Sequence, residues 1–284
     1  MSSRFRLDRF LTLYFFGPLL RNFPQRNKER IPILMYHSIS DDKMEGVHPY
    51  FETNTSPTLF AEHMKYLYSK GYKVINLEDV REYLEGKKIA EKTVIITFDD
   101  GFRDFYTQAF PILQLYGFSA TIFLTTGFIS NKRLEFKGKE CLTWKEVLKL
   151  NIQGIVFGSH TVNHKKLQSL NDIDIEWELK QSKEHIEVNT GRPVVFFSYP
   201  FAFPEEDNKF KKTLKKKLRK CEYRSGVTTK IGRVSKGDDL FFMRRIPINS
   251  FDDLNLFEKK INGLYDWVAF AQSLYKKIKN KVTI

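Results

Sequence analysis

From residue 31 onward, short apolar runs alternate with stretches of helical periodicity, and this alternation is what most limits the folds open to the chain. The candidate strands are Pro32–His37, Lys73–Leu77, Thr93–Asp99, Ser119–Thr125, Gly154–Gly158, Val194–Tyr199, Tyr223–Thr228 and Met243–Ile248. Between them, Ser56-Pro57 opens a helix that ends at Gly71, since proline suits the first helical position. Further helices are expected over Asp104–Tyr116, closed by Gly117, over Asn171–Asn189, closed by Gly191, and over the very basic Asp207–Lys220. Strands alternating with helices imply a parallel sheet, closed or nearly so. Asn131–Cys141 breaks the pattern and is expected to be a loop over one rim.

At 284 residues and 42% hydrophobic content, one α/β barrel accounts for the chain without division. The core domain is placed at 31–250, between an N-terminal segment, 1–30, and a basic helical extension, 251–284. Lys and Arg exceed Asp and Glu by 47 − 34 = 13, which favours anionic surfaces. No nucleic-acid-binding signature is present, so no nucleic acid partner is expected. Anionic lipid or an acidic glycan fits better, although Lys209–Lys220 and Lys276–Lys281 also read as solvated helix faces. Cys141 and Cys221 lack disulfide or metal spacing and are expected as buried thiols.

Arg4, Arg6 and Arg9 lead into the apolar run Phe10–Leu20, too short for the ~20 residues that span a bilayer. A signal peptide has this outline, but Arg21-Asn22-Phe23-Pro24 follows where a small-x-small cleavage site belongs. The expected reading is an uncleaved amphipathic segment lying in a membrane interface. That makes the protein peripherally membrane-associated, with the cytoplasmic face preferred over a secreted or periplasmic setting. A signal peptide and a helix capping the domain stay open as alternatives. Leu264–Phe270 and Leu274-Tyr275, followed by lysines, suit either a membrane surface or packing on the barrel.

The run Val94–Phe98 ends in Asp99-Asp100-Gly101, which looks like a buried strand delivering acids to its C-terminal end. His160 and His164 follow a second apolar run and can meet one divalent ion together. One carboxylate with two imidazoles makes a three-ligand site with open positions, and leaves the other carboxylate free as a base. Neighbouring side chains on a straight strand point to opposite faces, so both acids can serve one site only where the strand bends; Gly101 permits that.

Four blocks occur in order: Ile33–Ile39, Thr97–Gly101, Ser159-His160-x-x-x-His164 and Phe197–Phe201. Over 31–250 the chain resembles the polysaccharide deacetylases, the carbohydrate esterase family 4 enzymes with a NodB homology domain. The resemblance implies a distorted (β/α)7 barrel, a metal held by Asp100, His160 and His164, Asp99 as general base, and an oxyanion contact from the Tyr199 backbone N–H. Zinc is the first choice for such a site; cobalt, nickel and iron are compatible with the same donors. The family's late Leu-x-His motif is missing, as no histidine follows His185. His37 in Met35-Tyr36-His37 is then the expected general acid, as in the branch acting on poly-N-acetylglucosamine.

The family's Arg-x-Pro-Tyr-Gly block reads Ser198-Tyr199-Pro200-Phe201-Ala202 here. Arg245 is the expected substitute for the arginine that orients the base, with Arg244 as the alternative. Ala202 in place of glycine means that this turn avoids conformations reserved for glycine. Arg103 and Asp104 are expected to support the site or cap the next helix, and His48, His63 and His185 to be surface or helix residues. Trp144 ranks first among aromatics that could stack on sugar rings, with Phe201, Tyr50, Phe51 and Phe102 behind it. The expected function is metal-dependent removal of N-acetyl groups from an amino-sugar polysaccharide or its lipid-linked precursor, by a metal-activated water with an Asp base and a His acid. The alternatives are an O-acetyl esterase, another amide hydrolase of this fold, or a catalytically idle glycan-binding scaffold.

Overall fold

The computed structural model describes residues 5–21, 30–87, 91–269 and 271–272. Seven parallel strands close into a barrel: β1 Ile33–Tyr36, β2 Thr93–Phe98, β3 Thr121–Leu124, β4 Val156–Ser159, β5 Phe196–Ser198, β6 Ser225–Ile231 and β7 Met243–Pro247. They follow one another around the barrel in chain order, and β1 closes it by pairing with both β2 and β7. A short eighth strand, Lys73–Val74, pairs with the start of β2 before β1 takes over that edge, where Ile33 faces Ile95 and Tyr36 faces Phe98. All eight expected strands are therefore present, and the expected (β/α)7 barrel is the fold.

Strand alternation sorts the apolar residues into two clusters. Ile33, Ile95, Phe123, Phe196 and Met243 form one; Leu34, Ile96, Phe98, Ile122, Leu124 and Phe197 belong to the other, which helices cover. With both faces buried, the strands read as nearly unbroken apolar runs. The helices are α1 Pro57–Ser69, α2 Asp79–Leu84, α3 Phe110–Leu115, α4 Trp144–Ile152, α5 Asp172–Thr190, α6 Asn208–Lys220 and α7 Leu254–Ile261. Their starts are set locally: Ser56, Asn171 and Asp207 each accept a hydrogen bond from a backbone N–H of the first turn. Gly191 ends α5 in the left-handed region that glycine favours.

Two local expectations change. Asn131–Cys141 is no plain loop: Glu135–Phe136 and Lys139–Glu140 form a β-hairpin whose turn residues, Lys137 and Gly138, both have positive φ. Asp104–Tyr116 is not uniform either, beginning with a wide π turn over Phe105–Ala109 before α3. The cysteines are free and buried, as expected.

The described parts of the two flanking segments pack on each other and on the barrel. The N-terminal helix runs through Leu7–Leu11, Thr12–Phe16 and Gly17–Arg21. Phe16 stacks on Trp267 with ring centroids 4.5 Å apart, and Trp267 Nε1 donates to Thr12 Oγ1. From α7, Leu256, Phe257 and Ile261 are buried. Arg4, Asn22–Pro24, Phe270, Leu274-Tyr275 and Lys276–Lys281 lie outside the described residues. Among the described residues, no helix is long and apolar enough to cross a membrane.

Candidate active site

The site residues gather at the C-terminal ends of the strands. Asp99 continues the sheet, its N–H donating to the Tyr36 carbonyl, and the chain then turns sharply: Asp100 has φ 73° and Gly101 φ 81°. The bend thus begins at Asp100 itself, one residue earlier than expected, and it swings the second carboxylate onto the same end of the barrel as the first. His160 follows β4, and the loop to His164 is locked by its neighbours. Buried Glu178, on α5, accepts from the N–H groups of Val162 and Asn163 at 2.7 and 3.0 Å and from the Asn163 side chain at 2.9 Å. His164 N–H donates to Thr161 Oγ1.

Asp100, His160 and His164 converge so that one ligand atom from each lies within 4.8 Å of the others. Asp100 Oδ1 is 3.2 Å from His164 Nε2 and 3.6 Å from His160 Nε2, and this buried oxygen has no hydrogen-bond partner. His160 Nδ1 lies 2.8 Å from the Ser198 carbonyl and donates to it, which leaves the Nε2 lone pair facing Asp100. Burial lowers His160 to about 4, so the imidazole is neutral and able to act as a ligand. An orphaned carboxylate oxygen between two imidazole nitrogens is what a divalent ion would satisfy, and the donor set fits zinc among others.

Asp99 lies beside this cluster. Arg245 grips it with two bonds, Nη1 to Oδ1 at 2.7 Å and Nη2 to Oδ2 at 2.6 Å, while Ser198 Oγ donates to it at 3.2 Å. Arg245 has no exposed surface, and its remaining donors reach the Thr228 carbonyl, Thr97 and Ser198. Burial pushes the Asp99 carboxyl up, but Arg245, His160 and His37 together outweigh it and bring the pKa to about 2. Arg244, the alternative, turns the other way and pairs with Asp238 at 3.0 Å. His37, just past β1, lies within electrostatic reach of the two carboxylates; its desolvation lowers its pKa against the pull of Asp99 and Asp100.

A family model described as polysaccharide deacetylase matches residues 86–226. YxkH of Bacillus subtilis, a protein assigned to the polysaccharide deacetylases, is 33% identical over 221 residues, 78% of this chain and 72% of its own. The chain belongs to the polysaccharide deacetylase family. The poly-beta-1,6-N-acetyl-D-glucosamine N-deacetylase of Staphylococcus aureus is 23% identical over 222 residues, covering 75% of this chain and 73% of that one. The structure of the Streptococcus pyogenes deacetylase PplD in complex with acetate superposes with a TM-score of 0.69 at 28% identity, over 82% of this chain and 98% of that one. Polysaccharide deacetylases are metal-dependent hydrolases that remove acetyl groups from polysaccharides, and the Asp-His-His cluster is this member's candidate metal site.

Within the polysaccharide deacetylase frame, two expected roles move. The Tyr199 N–H donates to the Val227 carbonyl at 3.0 Å, so the β5–β6 pairing consumes the group expected to hold an oxyanion. Phe201 instead has φ 62°, and its N–H donates to no described residue. Its ring lies 4.7 Å from that of His164. Phe201 takes the left-handed position in this turn, which explains why Ala202 suffices where the family has glycine. Trp144 opens α4, and its partly buried ring packs against the main core. The phenyl rings on His164 are those of Phe136, at 5.2 Å, and Phe201.

The hairpin also contributes an unforeseen cation: Lys137 Nζ donates to Asp100 Oδ2 at 3.1 Å. Arg103 pairs with Glu140 and Glu146, and Asp104 accepts from Ser38 at 2.5 Å, so both brace the rim. His63 sits in the core of α1, held between Tyr36 OH at 3.1 Å and the Asp252 carbonyl at 2.8 Å. Nothing short of the hairpin geometry could have found Phe136 and Lys137, and Glu178 carries no sequence signal at all.

Proposed function

We propose that this polysaccharide deacetylase removes N-acetyl groups from an amino-sugar polymer, or its lipid-linked precursor, with Asp99 as general base and His37 as general acid. The observation that carries the reading is the pairing of Asp99 with buried Arg245 beside the Asp100–His160–His164 cluster. A divalent ion held by those three would supply Lewis acidity and a nucleophilic water at neutral pH. Asp99, ionised at neutral pH, accepts in this reading the proton that the attacking water loses. Arg245 holds both carboxylate oxygens, so Asp99 stays aimed at the cluster. The free Phe201 N–H is offered as the donor to the developing oxyanion, in place of Tyr199. In this reading His37 protonates the departing amine, which leaves poorly as an anion. The half-exposed Phe201 ring beside His164 is offered as a surface on which a sugar could stack. The named activity of the Staphylococcus aureus relative supports a glucosamine-containing substrate, and the acetate in the PplD complex supports this class of product.

The test is acetate release from N-acetylglucosamine oligomers by zinc-loaded protein, with Asp99→Asn and His37→Ala in parallel. Release by wild type, falling about 10²–10⁴-fold in each variant with metal content unchanged, is the expected outcome. Equal turnover in Asp99→Asn would remove the base from the reading. Silence in wild type with metal bound would move the activity to O-acetyl groups or other amides.

A further inference from the structure

The N-terminal helix meets the protein through Leu13, Phe16 and a set of polar contacts, and turns a second set of apolar side chains away from it. Its inner contacts are specific. Arg6 bonds Asp8 through Nε at 2.7 Å and lies 3.6 Å from buried Asp252; Tyr265 OH donates to Asp8; Arg9 pairs with Asp253; and Trp267 bonds Thr12. The outward side carries Leu7 (57% exposed), Phe10 (46%), Tyr14 (67%), Phe15 (57%) and Leu19 (55%). Steps of three and four residues, with Tyr14 and Phe15 adjacent at the middle, keep these side chains along one flank of a helix. Phe10 packs on Tyr14 at 5.3 Å, and Phe251, more than a third exposed, lines the same groove beside them. A contiguous apolar surface of this kind marks an interaction site.

We propose that this face docks on an anionic lipid bilayer, with the helix lying in the interface. Two observations select lipid over a protein partner. The outer side offers aliphatic and aromatic groups, of a kind that settles at the headgroup boundary, while Arg6, Asp8, Arg9 and the Thr12 hydroxyl are turned towards the protein. The chain carries a net charge of +13, and in the sequence Arg4 precedes the helix while Arg21, Arg26, Lys28 and Arg30 end and follow it, against the single acid Glu29. Because the ion pairs already hold the helix on the domain, docking requires little further ordering of this segment. This surface is independent of the metal cluster and of the reaction proposed there.

The experiment is flotation of the full chain with phosphatidylcholine vesicles, with and without phosphatidylglycerol. It compares wild type with Tyr14→Glu and with the triple substitution Phe10→Ser, Tyr14→Ser, Phe15→Ser. Wild type is expected to float with the anionic vesicles, and the triple variant to lose at least about tenfold in bound fraction while keeping its thermal melt. Tyr14→Glu is expected to fall between them, and raised salt to weaken wild-type binding. Equal flotation of the folded triple variant overturns the proposal, as does failure of wild type to float. A wild-type dimer that these substitutions dissociate, with no vesicle binding, would assign the face to a second copy instead.

Discussion

Asp99 and Arg245 are the most tightly defined pair in the molecule, and their geometry makes distinct predictions for charge and shape. Arg245→Lys keeps a cation but loses the fork onto both oxygens. Turnover is expected to fall at least about tenfold with metal content unchanged, measured as acetate release beside metal analysis. Arg245→Ala goes further, stranding a buried carboxylate, and is expected to cost about 3–5 kcal/mol in denaturant unfolding. Were Arg245→Lys fully active, orientation of Asp99 would not limit the reaction. At the ligands, His160→Ala is expected to abolish stoichiometric metal binding, since two protein donors are one short of the three such a site uses.

The elements around the site store local strain that their packing sustains. Asp100, Thr161, His164 and Phe201 all have positive φ without being glycine, a conformation that costs of order 1–3 kcal/mol each where it departs from the allowed region. Glu178 is the brace for the histidine loop, reaching it from α5 with three hydrogen bonds. Glu178→Gln keeps the shape but removes the charge from these bonds. It is expected to weaken metal affinity about 10–100-fold in a chelator competition, with the circular dichroism spectrum unchanged. Gly101→Ala is expected to destabilise more visibly: the new Cβ would meet Leu124 Cδ2 at 2.8 Å, at a φ of 81°. What could be read from sequence follows from the same local physics. The strands were legible because both faces are buried, and the ligands because two imidazoles and two acids stand at strand ends. Arg245 was the expected partner of Asp99, and the face of β7 that points inward decides against the alternative: Met243 and Arg245 lie on it, while Arg244 reaches Asp238. The Tyr199 N–H escapes sequence reasoning because the β5–β6 register, which consumes it, is a tertiary fact. Helix α4 had a signal that went unused, as Thr143-x-x-Glu146 is a capping box and forms one here.

At the scale of the whole molecule, closing the barrel brings the ends of β1, β2, β4 and β5, with the side chain of Arg245 from β7, to one site. The same closure buries titratable groups far apart, and this makes stability depend on pH. His63 and His160 are both buried and neutral, each brought to about 4 chiefly by desolvation. In the unfolded chain a histidine titrates near 6.5. Between those values the unfolded state binds protons that the native state refuses, so stability falls as the pH drops from about 6.5 to about 4. Each such group contributes a slope of up to about 1.4 kcal/mol per pH unit within that window. Asp99 acts in a lower window: its depressed pKa adds stability above about pH 4 that is lost as the pH falls towards about 2. Chelator-treated protein unfolded in urea at a series of pH values is therefore expected to weaken steadily below pH 6.5. His63→Phe can keep the stack on Phe257, whose ring lies 4.0 Å from the imidazole, but leaves Tyr36 OH and the Asp252 carbonyl without this partner. That variant should be less stable at pH 8 and yet lose less on acidification. A parallel pair of curves would mean that His63 does not resist protonation in the folded protein, and would leave the acid sensitivity to the metal-site histidine.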